Sequence, residues 1–495
     1  MRIVTLNGLL LDKYKFLKMN QLLNLALAFN LLFFSFIANS CAKDLEIQEY
    51  QEYGEATMYL TTMDQQQLLA PKVLLASDKV PTNSQVIRLN PSKTYQEMDG
   101  FGFTLTGGSA MHLSKMEKGA RGKLLKELFG TEKGEIGISY LRLSIGASDL
   151  DEYPWSYLDL PKGKQDFALK NFSLGYDTLY LIPILKEILA ISPAIQLMGS
   201  PWSPPSWMKD NQDSRGGRLL PEYYDVYARY LVKYIQSMRN NGIDISALTI
   251  QNEPLHPGNN PSLLMLAEEQ KVFVKVHLGP VFEKNNINTK IIIYDHNANR
   301  PDYPISILND PEAAKYIDGS AFHLYEGEIN ALGKVHDAHP TKNLYFTEQW
   351  IGGPGNFAGD YSWHVRNLVI GGPNNWAKTV LQWNLTSNSD YTPHTDRGGC
   401  TKCLGAVTIQ GDKVTRNPAY YIIGQIAPFV RPGFKRIESN GIANIEQVAF
   451  SGPTGNVVLV MQNISLERKV FYVNHKGNHF PMALDPGAVA TLTIE

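Results

Sequence analysis

The chain has 495 residues, a formal net charge of −2 and 43% hydrophobic residues, enough apolar material for a large α/β barrel plus an accessory β module. The near-zero charge and the lack of a long basic run exclude nucleic acid as the main partner. Tyrosine and tryptophan, 25 and 7 in number, gather near Pro and Gly in loop-like stretches, a pattern that suits sugar sites as well as ordinary packing.

Lys13, Lys15 and Lys18 precede an apolar run from Leu22 to Ile37, which breaks into Ala38-Asn39-Ser40-Cys41. The run is short and interrupted for a membrane span, so residues 1–41 are expected to be a signal peptide, with Met19 as an alternative start. A small residue before a single cysteine resembles a bacterial lipoprotein cleavage site. That predicts lipidation of Cys41 and export to the periplasm or outer-membrane surface of a Gram-negative bacterium; plain secretion is the alternative. Residues 42–67 are polar and acidic without periodicity and are expected to be a tether.

From residue 68 to 97 alternating stretches such as SQVIRLN predict the first strands of a β module. NIEQVAFSG, NVVLVMQN, RKVFYVNH and GAVATLTIE supply the rest, so a β-sandwich is expected over 429–495, completed by the N-terminal strands. Between them, over 98–428, eight short apolar runs alternate with helical ones: DGFGFTL, GISYLRLS, AIQLMGS, ALTIQ, KIIIYD, GSAFHLY, NLYFTEQ and TVLQWNL. Eight strands separated by helices predict a (β/α)8 TIM barrel, whose chemistry sits at the C-terminal strand ends. In the longest helical stretch Tyr227, Leu231, Tyr234, Ile235 and Met238 recur at three- and four-residue spacing, and Gly242 ends it.

Several of these runs end in a polar or aromatic residue: Glu253, Asp295, His323, Glu348 and Trp383. A lone strand-end glutamate most simply serves as an ion-pair partner, here for Arg142. Two that converge on one barrel face, Glu253 after the fourth strand and Glu348 after the seventh, are what glycoside hydrolysis needs: one to protonate the leaving oxygen and one to meet the charge at the anomeric carbon. The Cys400-x-x-Cys403 pair lacks a second pair or a histidine cluster to complete a zinc site, so a small disulfide loop is expected.

DGFGFTLTGGSA from Asp99, GSPWSPPSWMK from Gly199, TIQNEP around Glu253 and TEQW around Glu348, in that order, resemble glycoside hydrolase family 30, which includes glucosylceramidases and endo-β-1,6-glucanases. The resemblance runs from about residue 85 to the end. It implies that Glu253 is the acid/base, Glu348 the nucleophile and Asn252 a ligand of the sugar 2-hydroxyl. It also implies that Asp149 and Trp202 hold the −1 sugar, that His323, Tyr325 and Trp383 line the same pocket, and that Arg142 orients the nucleophile. A retaining mechanism predicts carboxyl groups about 5 Å apart, against about 8 Å for an inverting one, and no cofactor or metal.

The GGCTKC loop after the eighth strand resembles the β-1,6-glucanase branch, which implies a β-1,6-glucan substrate. An exo-acting β-glucosidase or glucosylceramidase-like activity is the enzymatic alternative, with β-xylanase and β-fucosidase behind it. A surface glycan-binding lipoprotein is the non-enzymatic alternative, although such proteins usually lose one carboxylate and this chain keeps both. Oligomeric state is not legible.

Overall fold

The computed structural model describes residues 54–495; the signal peptide expected over 1–41, with Cys41, and the expected tether up to residue 53 lie outside the described residues. The first strands are β1 (Glu55–Thr61), β2 (Ala70–Leu75) and β3 (Val86–Glu97). β1 corrects the tether expected over 42–67. Its alternation turns Ala56 and Met58 into the sandwich core, and its backbone pairs with β2 on one side and the last strand on the other. A surrounding polar composition hid a short strand whose partners lie at the far end of the chain.

Eight parallel strands then close into a barrel: β4 (Gly100–Leu105), β5 (Tyr140–Ile145), β6 (Gln196–Pro201), β7 (Ala247–Thr249), β8 (Lys290–Asn297), β9 (Ile317–His323), β10 (Asn343–Glu348) and β11 (Ala377–Asn384). All eight runs expected from sequence are there. Past the barrel come β12 (Thr386–Ser387), β13 (Val407–Gln410) and β14 (Lys413–Arg416), a small sheet at its rim. The remaining strands, β15 (Lys435–Ser439), β16 (Ile445–Ser451), β17 (Val457–Asn463), β18 (Lys469–His475), β19 (Asn478–Leu484) and β20 (Val489–Ile494), join β1–β3 in the order β19-β18-β3-β15-β16-β17-β20-β1-β2.

Successive strand residues face opposite sides, so every second barrel residue points to the axis. Tyr140, Met198, Ala247, Ile292, Ala321, Tyr345 and Leu381, each from a different strand, pack together as one interior layer. Two residues further along, six of those strands carry Arg142, Ser200, Thr249, His323, Thr347 and Trp383. The floor of the barrel mouth is therefore written into the strands at a spacing of two. On β8 the ladder slips between Tyr294 and His296, and Tyr294 and Asp295 take positive φ of 73° and 68°. That slip brings Asp295, rather than Tyr294, into the polar layer. A second slip, between Phe346 and Glu348 on β10, lets Glu348 join Thr347 at the mouth.

Barrel and sandwich meet at Gln425, which is fully buried. Its side chain accepts from Thr61 Oγ1 at 2.9 Å and Tyr361 Oη at 2.7 Å, and donates to Thr491 Oγ1 at 2.8 Å and the Tyr59 carbonyl at 3.0 Å. Among the described residues no helix is long and apolar enough to cross a membrane.

Candidate active site

The polar layer is organised by one cation. Arg142 is fully buried and donates from Nη1 to Glu348 at 2.6 Å, and from Nη2 to Asp295 at 2.8 Å, Asn252 Oδ1 at 2.6 Å and Ser200 Oγ at 3.1 Å. Its guanidinium lies 4.7 Å from the Trp202 ring centre and 6.0 Å from that of Trp383. A planar donor fork between two carboxylates and two aromatic faces is a task for arginine rather than lysine.

Asp295 is its counter-ion. Burial would raise the carboxyl, but Arg142 and His323 hold it far below the usual carboxylate range, and it accepts from Ser200, Thr249 and Thr347 hydroxyls at 2.7–2.8 Å. His323 Nε2 meets Asp295 at 3.1 Å, while Nδ1 faces Glu253 at 3.4 Å and Glu348 at 3.8 Å. Burial alone would lower this imidazole; the carboxylates of Glu348, Asp295 and Glu253 instead raise it to about 9.

Above this layer stand the two glutamates. Glu253 follows β7 with φ of 45°, an unfavourable backbone held by its N–H donating to the Asp295 carbonyl at 3.0 Å. Single oxygens of Glu253 and Glu348 lie within 4.8 Å of each other. Two like charges that close in a buried site do not both persist, so one proton stays with the pair. Arg142 at 2.6 Å and Tyr325 Oη at 2.9 Å donate to Glu348, whereas Glu253 meets neutral Asn259 Nδ2 at 3.1 Å and His323 only at 3.4 Å. Burial raises Glu348; for Glu253 burial is outweighed by His323, which lowers it, so these influences oppose the division. The shorter donor contacts decide it: charge on Glu348, proton on Glu253. Arg142 and His323 then balance Asp295 and Glu348.

These side chains open into a cavity of about 310 Å³ lined by Asp149, Trp202, Glu253, Tyr325, Glu348 and Trp383, with His256, Asn259, His296, Asn297, Glu326, Trp350, Cys400 and Cys403. Asp149 is buried, and burial together with Glu348 and Glu253 lifts its pKa to about 8. The structure thus brings together all nine sequence-derived site residues, though not all as lining: Arg142 and His323 lie beneath the cavity surface, bonded to glutamates that line it, and Asn252 lies beside them, bonded to Arg142. Cys400 and Cys403 are joined by a disulfide.

Sequence reasoning missed two polar partners. Asp295 stood out as a strand end, but its central place depends on the β8 slip. Asn259 carried no signal at all, because a loop asparagine six residues past Glu253 is legible only when the loop folds back. Glu253, His323 and Glu348 also form a cluster with metal-ligand spacing among the described residues. Their facing atoms are engaged with Arg142, Tyr325 and each other, and glycosyl transfer by two carboxyl groups requires no metal.

A barrel with paired carboxyl groups at its C-terminal mouth and a sandwich built from both ends of the described residues is the architecture of a glycoside hydrolase. Residues 98–430 match the glycosyl hydrolase family 30 TIM-barrel domain and residues 433–492 the family's β-sandwich domain; the chain belongs to glycoside hydrolase family 30. Endo-1,6-β-D-glucanase neg1 of Aspergillus fumigatus is 31% identical over 393 residues, covering 74% of this chain and 78% of the relative. Lysosomal acid glucosylceramidase of Mus musculus is 27% identical over 430 residues, covering 81% and 82%. The solved structure of the endo-β1,6-glucanase BT3312 superposes with a TM-score of 0.83 at 36% identity, over 89% of this chain and 99% of that one.

Proposed function

We infer that this chain is a retaining β-glycoside hydrolase acting on β-1,6-glucan, with Glu348 as nucleophile and Glu253 as acid/base. The observation that carries the mechanism is the carboxyl pair, whose oxygens approach within 4.8 Å. That spacing suits direct attack and is shorter than the separation at which an inverting enzyme holds a water between substrate and base. Glu348 attacks the anomeric carbon while Glu253 gives its proton to the glycosidic oxygen. Glu253, now a base, takes a proton from water as the water attacks the glycosyl-enzyme ester, and the product leaves with β configuration. Asp149, whose carboxyl burial holds well above its usual range, bonds a sugar hydroxyl, and Asn252 presents its amide to the 2-hydroxyl.

The linkage rests on likeness to the two endo-1,6-β-glucanases, and the glucosylceramidase relative keeps the exo-acting alternative in play. Product analysis on linear β-1,6-glucan beside an aryl β-glucoside separates them. The expected result is short β-1,6-linked oligosaccharides from the polymer, lost in Glu348→Gln. Glucose alone from both substrates refutes endo action, and wild-type turnover by Glu348→Gln refutes the nucleophile. The leader and Cys41 support export with a lipid anchor, which predicts that Cys41→Ala releases the protein from the membrane fraction.

A further inference from the structure

The loop between β12 and β13 is closed at its base, where Thr386 pairs with Val407, and it crosses the barrel mouth. On the Glu253 side it is clamped: Arg397 donates twice to Asp213 at 3.0 Å, Asn260 Nδ2 donates to Asp396 Oδ1 at 2.8 Å, and Thr395 Oγ1 donates to the Asn260 carbonyl. Asn260 adjoins Asn259, the residue that touches Glu253. On the Glu348 side the Gly353 N–H donates to Lys402 O at 2.7 Å and the Leu404 N–H to Ile351 O at 3.0 Å. The Thr395 N–H donates to the Asp149 carbonyl at 2.9 Å.

Between these clamps lies Gly398-Gly399, with Gly398 at φ of 141°, a backbone with little stiffness of its own. The next residue is Cys400. Its disulfide to Cys403 lines the cavity, and Cys403 packs with Leu150, Trp202 and Trp383. The Cys400 backbone amide also acts on the Asp149 carboxyl, against the effect of burial.

We propose that the Cys400–Cys403 disulfide is a positioning element of the active site, holding the 388–406 loop as a fixed wall that sets Asp149 and the Trp202–Trp383 pair against the two carboxyl groups. This rests on the reading that sugar occupies the cavity. A four-residue covalent ring stiffens the stretch of wall that directly follows the two glycines, and a site loosened by an ångström loses binding and rate. The effect belongs to the −1 sugar, so it is independent of which linkage is cleaved.

The test uses an aryl β-glucoside with two forms of the protein: Cys400→Ser/Cys403→Ser, and wild type treated with a phosphine. The phosphine gives two electrons to the disulfide, two protons complete the thiols, and it leaves as its oxide with oxygen from water. KM is expected to rise about fivefold or more in both forms, with a smaller fall in kcat, and reoxidation restores the wild type while the phosphine leaves the double variant unchanged. Unchanged KM in the reduced wild type overturns the proposal, and so does a fall in melting temperature with no change in KM. The reduced wild type decides the matter where the variant fails to fold. Failure on β-1,6-glucan but not on the aryl glucoside refutes the linkage and leaves this result readable.

Discussion

At the scale of single residues the site is an exercise in charge balance, and His323 is the residue on which it turns. Its imidazole is raised to about 9, so it is charged at neutral pH between three carboxyl groups. A group raised on folding contributes stability that is fully present below its unfolded value, about 6.5, and is lost as pH rises through about 9. Asp149, raised to about 8, adds to the loss over neutral and mildly alkaline pH by the same sign. The melting temperature of the wild type is therefore expected to fall between pH 6.5 and 9.5, with a parallel alkaline limb in kcat/KM. In His323→Gln both should flatten, because the uncharged amide no longer titrates; equal pH slopes in variant and wild type would show that His323 is neutral throughout. Which residue types sit here was readable from the motifs. The protonation pattern was not, because it depends on contacts with Asp295 and Asn259 that only folding makes.

At the scale of elements, the eight barrel strands were legible because each is a short, largely apolar run bounded by breakers, the mark of a strand buried on both faces. The polar layer follows from the same pattern read two residues on. The two ladder slips did not show, since neither Tyr294-Asp295 nor Thr347-Glu348 contains the glycine or proline that announces an irregularity. β1 was lost for a different reason: a single seven-residue strand whose inward residues are Ala56, Met58 and the partly buried Leu60 is too weak a signal without its partners. Met58 is 4% exposed in the sandwich core. Met58→Asp places an unpaired charge there, with an expected cost of about 3 kcal/mol or more by chemical denaturation and no change in KM. A cost near zero would mean that β1 is not part of the folded sandwich.

At the scale of the whole molecule, both ends of the described chain build one sandwich, and Gln425 joins that sandwich to the barrel by bonds to Tyr59, Thr61, Tyr361 and Thr491. The C-terminal ends of the barrel strands, where the cavity opens, are left to chemistry. There, in the proposed mechanism, Glu348 carries the sugar covalently while Glu253 manages the proton. The most direct measurement is mass spectrometry of peptides after incubation with a 2-deoxy-2-fluoro β-glucoside bearing a good leaving group, which slows breakdown of the intermediate more than its formation. The predicted result is one fluoroglucosyl group on the peptide containing Glu348, absent in Glu348→Gln. A label on the peptide containing Glu253, or turnover to an α-configured product with no label anywhere, would contradict it.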